Sequence, residues 1–152
     1  MRIKVNDIPK DGLELTESQD AGALDLARDD LRFISPVGIS AFISRDKDEV
    51  YARITTKGKL EITCARCLSP YSIDFKKDFD LSYDVRGKTS LDLTDDIRQE
   101  IILEYPLKPL CRQDCKGLCR TCGKNLNEGP CGHKPAPQKM GQIEPRPKGG
   151  IN

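Results

Sequence analysis

Hydrophobic and polar positions alternate most regularly between residues 70 and 85. Odd-numbered positions from Tyr71 to Val85 are apolar except for Lys77, whereas the even-numbered positions between them are polar and mainly acidic. Because successive side chains of a strand point to opposite faces, this period of two predicts an antiparallel strand or hairpin with one face in water. Residues 49–64 alternate similarly, and Gly58 indicates either a turn between two strands or a kink in one strand.

Residues 92–105 have the spacing of an amphipathic helix instead. Apolar residues recur at every fourth position from Ile97 to Tyr105, which places them on one helix face. Thr94 can cap the first turn, where acidic residues favour the positive end of the helix dipole. Pro106 ends the helix, which we expect to lie against the sheet.

Shorter extended segments are expected nearer the N-terminus. Residues 2–8 have the pattern of a short strand, and residues 33–44 are expected to be extended, with interruptions at Pro36 and Gly38. The predicted fold class is therefore α+β: an antiparallel β-sheet with one main helix and a C-terminal zinc-binding, ribbon-like segment. The last part of this prediction rests on the cysteines.

Seven cysteines and the only histidine fall into four close pairs. Eight sulfur and nitrogen ligands match the requirement of two tetrahedral zinc ions. An odd number of cysteines argues against a complete disulfide framework. Hydrophobic residues make up only 37% of the chain, so bound metal would add stability to a small core. The predicted ligand pairs are Cys64 with Cys67, Cys111 with Cys115, Cys119 with Cys122, and Cys131 with His133.

The four pairs can be combined into two sites in three ways. We favour 64/67 with 111/115 and 119/122 with 131/133, because the second site then closes a loop of only fifteen residues. The helix would also return the chain to the strand end that carries Cys67. The other combinations join the 64/67 pair to 119/122 or to 131/133. Both stay open, as does the binding of one ion instead of the two that we prefer.

The sequence contains no pattern typical of catalysis. It has no phosphate-binding loop, no Gly-x-Ser-x-Gly and no His-Glu-x-x-His. The only histidine is a predicted ligand, which leaves none as a general base. We therefore expect a protein that is not an enzyme and has no small-molecule substrate. A redox dithiol at Cys64 and Cys67 is an alternative, and so is iron–sulfur ligation.

Charge is distributed unevenly along the chain. Residues 1–110 contain 17 Lys and Arg against 21 Asp and Glu, whereas residues 111–152 contain 8 against 3. Adding all seven thiolates, including those of Cys64 and Cys67 from outside this segment, and two zinc ions to its net charge of +5 leaves about +2, which is still basic. Composition predicts a β-rich α+β domain (1–110), a cysteine-rich zinc-binding segment packed on it (111–133) and a flexible Pro/Gly-rich basic tail (134–152).

Cellular compartment is indicated by what the sequence lacks. Neither a signal peptide nor a membrane-spanning stretch is recognisable. Clustered cysteines without a disulfide framework fit a reducing compartment, so we expect a cytoplasmic protein with no membrane partner.

The cysteine-rich region resembles the YceD family of large ribosomal RNA subunit accumulation proteins. The resemblance is carried by the run 111–127 with Cys131 beyond it, and by the Cys-Ala-Arg-Cys-Leu motif at 64–68. Two positions depart from the family pattern. His133 stands where the family has a final cysteine, and residues 144–147 read Glu-Pro-Arg-Pro where many members have Asp-Pro-Arg-Leu.

This resemblance implies a role in the accumulation of large-subunit ribosomal RNA. It implies that the partner is that RNA or a ribosome-assembly protein. Basic side chains near the ligands and in the tail are the expected RNA contacts. A zinc-ribbon adaptor that binds protein without RNA contact is the alternative, followed by a thiol redox protein. The candidate RNA-binding residues are Lys116, Arg120, Lys124, Lys134, Lys139, Arg146 and Lys148.

Overall fold

The two longest elements of the fold are adjacent antiparallel strands of fifteen residues each. The computed structural model describes residues 1–133. Within them, one α-helix and one short 3-10 turn (Val5–Asp7) accompany the strands. The elements are β1 (Arg2–Lys4), β2 (Leu13–Gln19), β3 (Leu31–Phe33), β4 (Val37–Asp46), β5 (Glu49–Thr63), β6 (Pro70–Asp84), β7 (Ser90–Asp92) and α1 (Thr94–Leu103).

Strand β5 organises the main sheet. One of its edges pairs with β6 along the whole strand, and the other pairs first with β4 and then with β3. Strand β2 extends the sheet beyond β4, whereas β1 and β7 form a separate two-stranded sheet. All of these pairings are antiparallel. The predicted fold class, a mostly antiparallel sheet with one helix, is confirmed for the described residues.

Both long alternating segments form single strands. In β6 the odd positions face the core, and Lys77 is accommodated because its ammonium reaches the Glu104 carboxylate at 2.7 Å. Gly58 lies inside β5 opposite Phe75, so the alternative of a turn is wrong. A Cβ atom at Gly58 would lie 2.9 Å from the ring of Phe33, which packs edge-on against Phe75. Glycine is therefore needed here for aromatic packing.

Helix α1 covers the core face of the sheet as predicted. Ile97 and Ile101 are almost fully buried, and each contributes about 2 kcal/mol of burial free energy. Tyr83 of β6 donates a hydrogen bond from its hydroxyl to Asp96 at 2.5 Å, which ties the strand to the first turn of the helix. No helix among residues 1–133 is long and apolar enough to cross a membrane.

The helix begins differently from the prediction, because the side chain of Asp92, and not that of Thr94, accepts a backbone N–H of the first turn. The Asp92 carboxylate accepts hydrogen bonds from the Thr94 backbone N–H at 3.1 Å and from the Thr94 hydroxyl at 2.6 Å. The same hydroxyl accepts one from the Met1 amino group at 2.7 Å. Pairing of Asp92 with Arg2 in the small sheet holds this arrangement in place.

Replacing Asp92 by alanine is expected to lower the free energy of unfolding by about 1 kcal/mol at pH 7. Hydrogen bonds from Thr94, aided by the Arg2 guanidinium, hold the pKa of Asp92 at about 2, below its unfolded value of about 4. The contribution is therefore complete above pH 4 and is lost as the pH falls towards 2. Urea unfolding at several pH values measures it, with Asp11→Ala as the exposed control. An equal loss at pH 2 and pH 7 would contradict the assignment.

The N-terminal predictions need two corrections. The strand expected at 2–8 ends at Lys4, because residues 5–7 form a 3-10 turn that buries Val5. The extended segment 33–44 is interrupted at Pro36 as predicted, since β3 ends at Phe33 and β4 begins at Val37, but the interruption expected at Gly38 is wrong because Gly38 lies within β4 and pairs with β5. The division of the chain at residue 110 stays a prediction.

Candidate metal centre

Four cysteines meet where strand β5 ends. We call Cys64, Cys67, Cys111 and Cys115 the strand-end group, and their sulfur atoms all lie within 4.8 Å of one another. Cys64 and Cys115 have sulfurs 3.8 Å apart, and those of Cys67 and Cys111 are 3.7 Å apart. Cys64, Cys67 and Cys115 are buried, so this group forms a small satellite core beside the main one.

The β5–β6 turn and the chain beyond helix α1 bring these cysteines together. The Leu68 N–H donates to the Cys64 carbonyl at 2.9 Å, and Leu68 adopts a φ of +56°, which closes the turn tightly. The Ala65 N–H then donates to the Pro109 carbonyl at 2.8 Å, which fixes the segment leaving the helix against the turn. The helix thus returns the chain to the strand end, as the favoured pairing requires.

A second group of four ligand residues lies at the C-terminal end of the described residues. We call Cys119, Cys122, Cys131 and His133 the C-terminal group, and their ligand atoms also lie within 4.8 Å of one another. The Cys119 sulfur and His133 Nδ1 are 4.0 Å apart. Gly123, with a φ of +73°, donates its N–H to the Cys119 carbonyl at 2.8 Å and so permits the tight turn between the two thiols.

The structure therefore groups the four pairs in the favoured combination. The other two combinations would join atoms that belong to different groups. The exposed basic residues Lys116, Arg120 and Lys124 lie beside the ligands, and the Lys124 ammonium donates to the Pro130 carbonyl at 3.2 Å. Four other predicted RNA contacts lie outside the described residues, namely Lys134, Lys139, Arg146 and Lys148.

The spacing of the ligand atoms fits tetrahedral zinc. Zinc–sulfur bonds of about 2.3 Å directed to the corners of a tetrahedron place sulfurs about 3.8 Å apart. The strand-end distances of 3.8 and 3.7 Å match this value. All seven cysteines are free thiols. One group offers four sulfurs and the other offers three sulfurs and one imidazole, and both are donor sets of structural zinc sites.

Hydrogen bonding already favours the thiolates that a metal needs. Burial opposes ionisation of Cys64, but backbone N–H groups, including that of Cys67, donate to its sulfur and lower its pKa to about 6. Backbone N–H groups of Cys122 and Thr121 lower the pKa of Cys119 to about 6 in the same way. Burial and hydrogen bonds with neighbouring cysteines instead raise the pKa of Cys111 to about 12. A bound dication would let all the thiols ionise together.

Two residues outside the predicted ligand set also contribute to the centre. Asn127 donates a hydrogen bond from Nδ2 to the Cys115 sulfur at 3.3 Å, and Arg66 donates from its guanidinium to the Cys115 carbonyl at 3.0 Å. The Asn127 contact lowers the pKa of Cys115. The only sequence signal for Asn127 was an asparagine located between ligands. Its contact could not be predicted, because Cys115 lies twelve positions away and belongs to the strand-end group.

Comparison with known proteins finds similarity to one family over the C-terminal part of the chain. The family model "Large ribosomal RNA subunit accumulation protein YceD" matches residues 85–146, which include six of the eight ligands. An uncharacterized protein of Mycobacterium tuberculosis is 38% identical over 100 residues, which cover 55% of this chain and 45% of the relative. No solved structure matches the chain.

Two further relatives differ in how much they share. A Zea mays protein named "Large ribosomal RNA subunit accumulation protein YCED homolog 1, chloroplastic" is 32% identical over 87 residues, 54% of this chain and 27% of the relative. The Bacillus subtilis protein YlbN is 25% identical over 160 residues, which cover 94% of this chain and 88% of the relative. The chain thus spans less than half the length of the mycobacterial and maize relatives. The family match over residues 85–146 and the named maize relative support assignment of the chain to the YceD family.

Proposed function

We propose that this chain is a non-enzymatic ribosome-biogenesis factor that supports the accumulation of large-subunit ribosomal RNA. The family description and the name of the maize relative support a ribosome-related role. The observation that carries the proposal is the pair of four-ligand groups in a segment whose basic side chains are exposed. A surface of this kind can bind RNA phosphates without any catalytic machinery.

Zinc is the metal that we propose for both groups. The strand-end group would hold one ion through four thiolates, and the C-terminal group would hold the other through three thiolates and His133. Four protein ligands leave no position for a reacting water, so each ion would act as a structural crosslink. Thiolate ligation also fits a reducing environment, and we propose the cytoplasm.

The proposed RNA contacts are basic side chains of the metal-binding segment and of the tail. Lys116 and Arg120 are exposed, whereas the nearby Arg112 donates to the side-chain oxygen of Asn127 at 2.7 Å and lies 3.6 Å from Asp114. Lys124 is exposed but is bound to a backbone carbonyl at 3.2 Å. The first two are therefore the best residues for a test, and the four basic residues of the tail remain proposed contacts.

Replacing Lys116 and Arg120 together by glutamine is expected to weaken binding to large-subunit ribosomal RNA fragments. Each lost phosphate contact should reduce the slope of log affinity against log salt by about 1, so the double variant should lose about 2. Fluorescence anisotropy at several salt concentrations measures both quantities. The matched control is Lys57→Gln with Lys59→Gln, an equal charge change on the exposed face of β5. Equal affinities and slopes in both variants would refute RNA contact by the metal-binding segment.

A protein adaptor without RNA contact is the second candidate, and one observation favours it. Strand β6 pairs only with β5 among the described strands, so a fifteen-residue edge is open to another strand. Recovery of the same partner proteins with and without nuclease would support this candidate. A thiol-exchange role is disfavoured because Cys64 and Cys67 are buried and cannot approach a second protein.

A further inference from the structure

Asn127 links the two metal-binding groups through its side chain. It lies between Cys122 and Cys131, within the loop that the C-terminal group would close, yet its Nδ2 donates to the sulfur of Cys115 in the strand-end group at 3.3 Å. Its Oδ1 accepts from the Lys116 backbone N–H at 2.9 Å and from the Arg112 guanidinium at 2.7 Å. A residue of one loop therefore holds both the sulfur and the backbone of the other group.

The orientation of this amide is determined by its partners. The second Nδ2 hydrogen is directed to Asn125 Oδ1 at 2.8 Å, so both donors and both lone pairs of the Asn127 side chain are used. A flipped amide would place oxygen against the sulfur and nitrogen against two donors. Asn125 also accepts the Asn127 backbone N–H at 3.1 Å, which fixes the loop around the amide. The surrounding loop therefore holds the Asn127 amide in the orientation that makes the N–H···S contact.

Backbone hydrogen bonds join the same two segments. The Leu126 N–H donates to the Gly117 carbonyl at 2.9 Å, and the Leu118 N–H donates to the Arg66 carbonyl at 3.2 Å. Gly117 has a φ of +74°, and a Cβ atom there would lie 3.0 Å from the Arg66 oxygen. The 119–133 loop and the strand-end group are therefore joined by backbone contacts as well as by the Asn127 side chain.

We propose that Asn127 is a positioning residue that makes metal binding at the two groups cooperative. The inference rests on the proposed function, because it requires both groups to hold an ion. Closing the C-terminal group fixes the loop and holds the Asn127 amide against Cys115, where it stabilises the ligand sulfur as outer-shell partners do. By thermodynamic reciprocity, metal in the strand-end group strengthens binding at the C-terminal group by the same factor.

The variant that isolates the contact is Asn127→Asp. It keeps an oxygen for Arg112 and Lys116 but replaces the donor to Cys115 by a second oxygen. Asn127→Ala removes all the side-chain contacts without adding charge and should behave in the same way. Gln113→Ala is the control, because Gln113 is an exposed residue of the strand-end loop with no side-chain hydrogen bond in the described part of the chain.

The measurement uses the full chain loaded with cobalt(II). Ligand-field absorption differs between four thiolates and three thiolates with one imidazole, so release of cobalt to a chelator can be followed at each group. Asn127→Asp should speed release from the strand-end group on the order of tenfold, the lower end of the effect of losing an outer-shell partner. Cys122→Ser, which removes a ligand of the other group, should have a similar effect.

Combining Asn127→Asp with Cys122→Ser tests whether the coupling between the two groups depends on Asn127. If Asn127 carries the coupling, Cys122→Ser should add nothing further in the Asn127→Asp background. Effects that multiply, or release at the wild-type rate in Asn127→Asp, would overturn the inference while two ions per chain still support the proposed function. Binding of no cobalt by the unsubstituted chain would overturn the proposed function itself.

Discussion

Removing metal with a chelator at pH 7 is expected to unfold residues 106–133 and loosen helix α1 while the sheet stays folded. The described segment after the helix contains no strand or helix, only an isolated bridge between Leu118 and Asn125. Its apolar side chains contribute little, since Leu107 is fully exposed and only Leu110 and Leu118 pack on the strand-end cysteines. Metal binding worth on the order of 10 kcal/mol per ion would then supply its folding free energy.

Amide hydrogen exchange followed by mass spectrometry gives the test. Peptides from residues 106–133 should lose protection after chelation, and peptides from β4 and β5 should keep it, because the main core is built from other residues. Addition of excess zinc to the chelated sample should restore protection and serves as the control. Protection of residues 106–133 that survives complete metal removal would show that packing alone folds the segment.

Replacing Cys67 by serine is expected to have a much larger effect than replacing Cys122. Cys67 is buried in the turn between β5 and β6, so its loss removes an ion from a group that joins two strand ends to the chain leaving the helix. Loss of such a site should lower the free energy of unfolding by about 4 kcal/mol or more and loosen helix α1. Cys122 is exposed, and its replacement should lower the stability of the sheet by no more than about 1.4 kcal/mol, the equivalent of a tenfold weaker strand-end site.

Native mass spectrometry and thermal unfolding distinguish the two variants. Each should bind one ion fewer than the unsubstituted chain, but only Cys67→Ser should show a marked fall in Tm. Because both substitutions replace one sulfur by oxygen, each serves as the matched control for the other. Loss of both ions in both variants would contradict two separate groups.

Regular patterns in the chain were sufficient to predict the sheet and the helix, and they favoured one of three groupings of the ligands. The alternation from Tyr71 to Val85 predicted β6 because a strand with one wet face must alternate, and a single lysine could not override it. The fifteen-residue loop from Cys119 to His133 favoured its own closure because short loops lose little entropy. Both inferences depend on local geometry, which sequence encodes directly.

Where the local sequence allowed two structures equally well, contacts with distant parts of the chain decided between them. Gly58 suits a turn or a strand, and only the ring of Phe33, packed against Phe75, requires glycine inside β5. Thr94 is a good capping residue, but pairing of β1 with β7 places Asp92 and Met1 around it and gives it another role. Local sequence propensity gives no information about either of these contacts.

Residue types and their spacing by themselves predicted an α+β protein with eight ligands in four pairs and favoured one of the three ways to combine them, and the run of cysteines pointed to the YceD family. Only the tertiary structure decided which polar side chain supports the ligands. Asn127 acquires its contact with Cys115 because two loops fold against each other and leave one sulfur facing one amide. A hydrogen bond between loops forms only when the donor–acceptor distance is correct to within a few tenths of an ångström, and that distance is set only after the chain has packed.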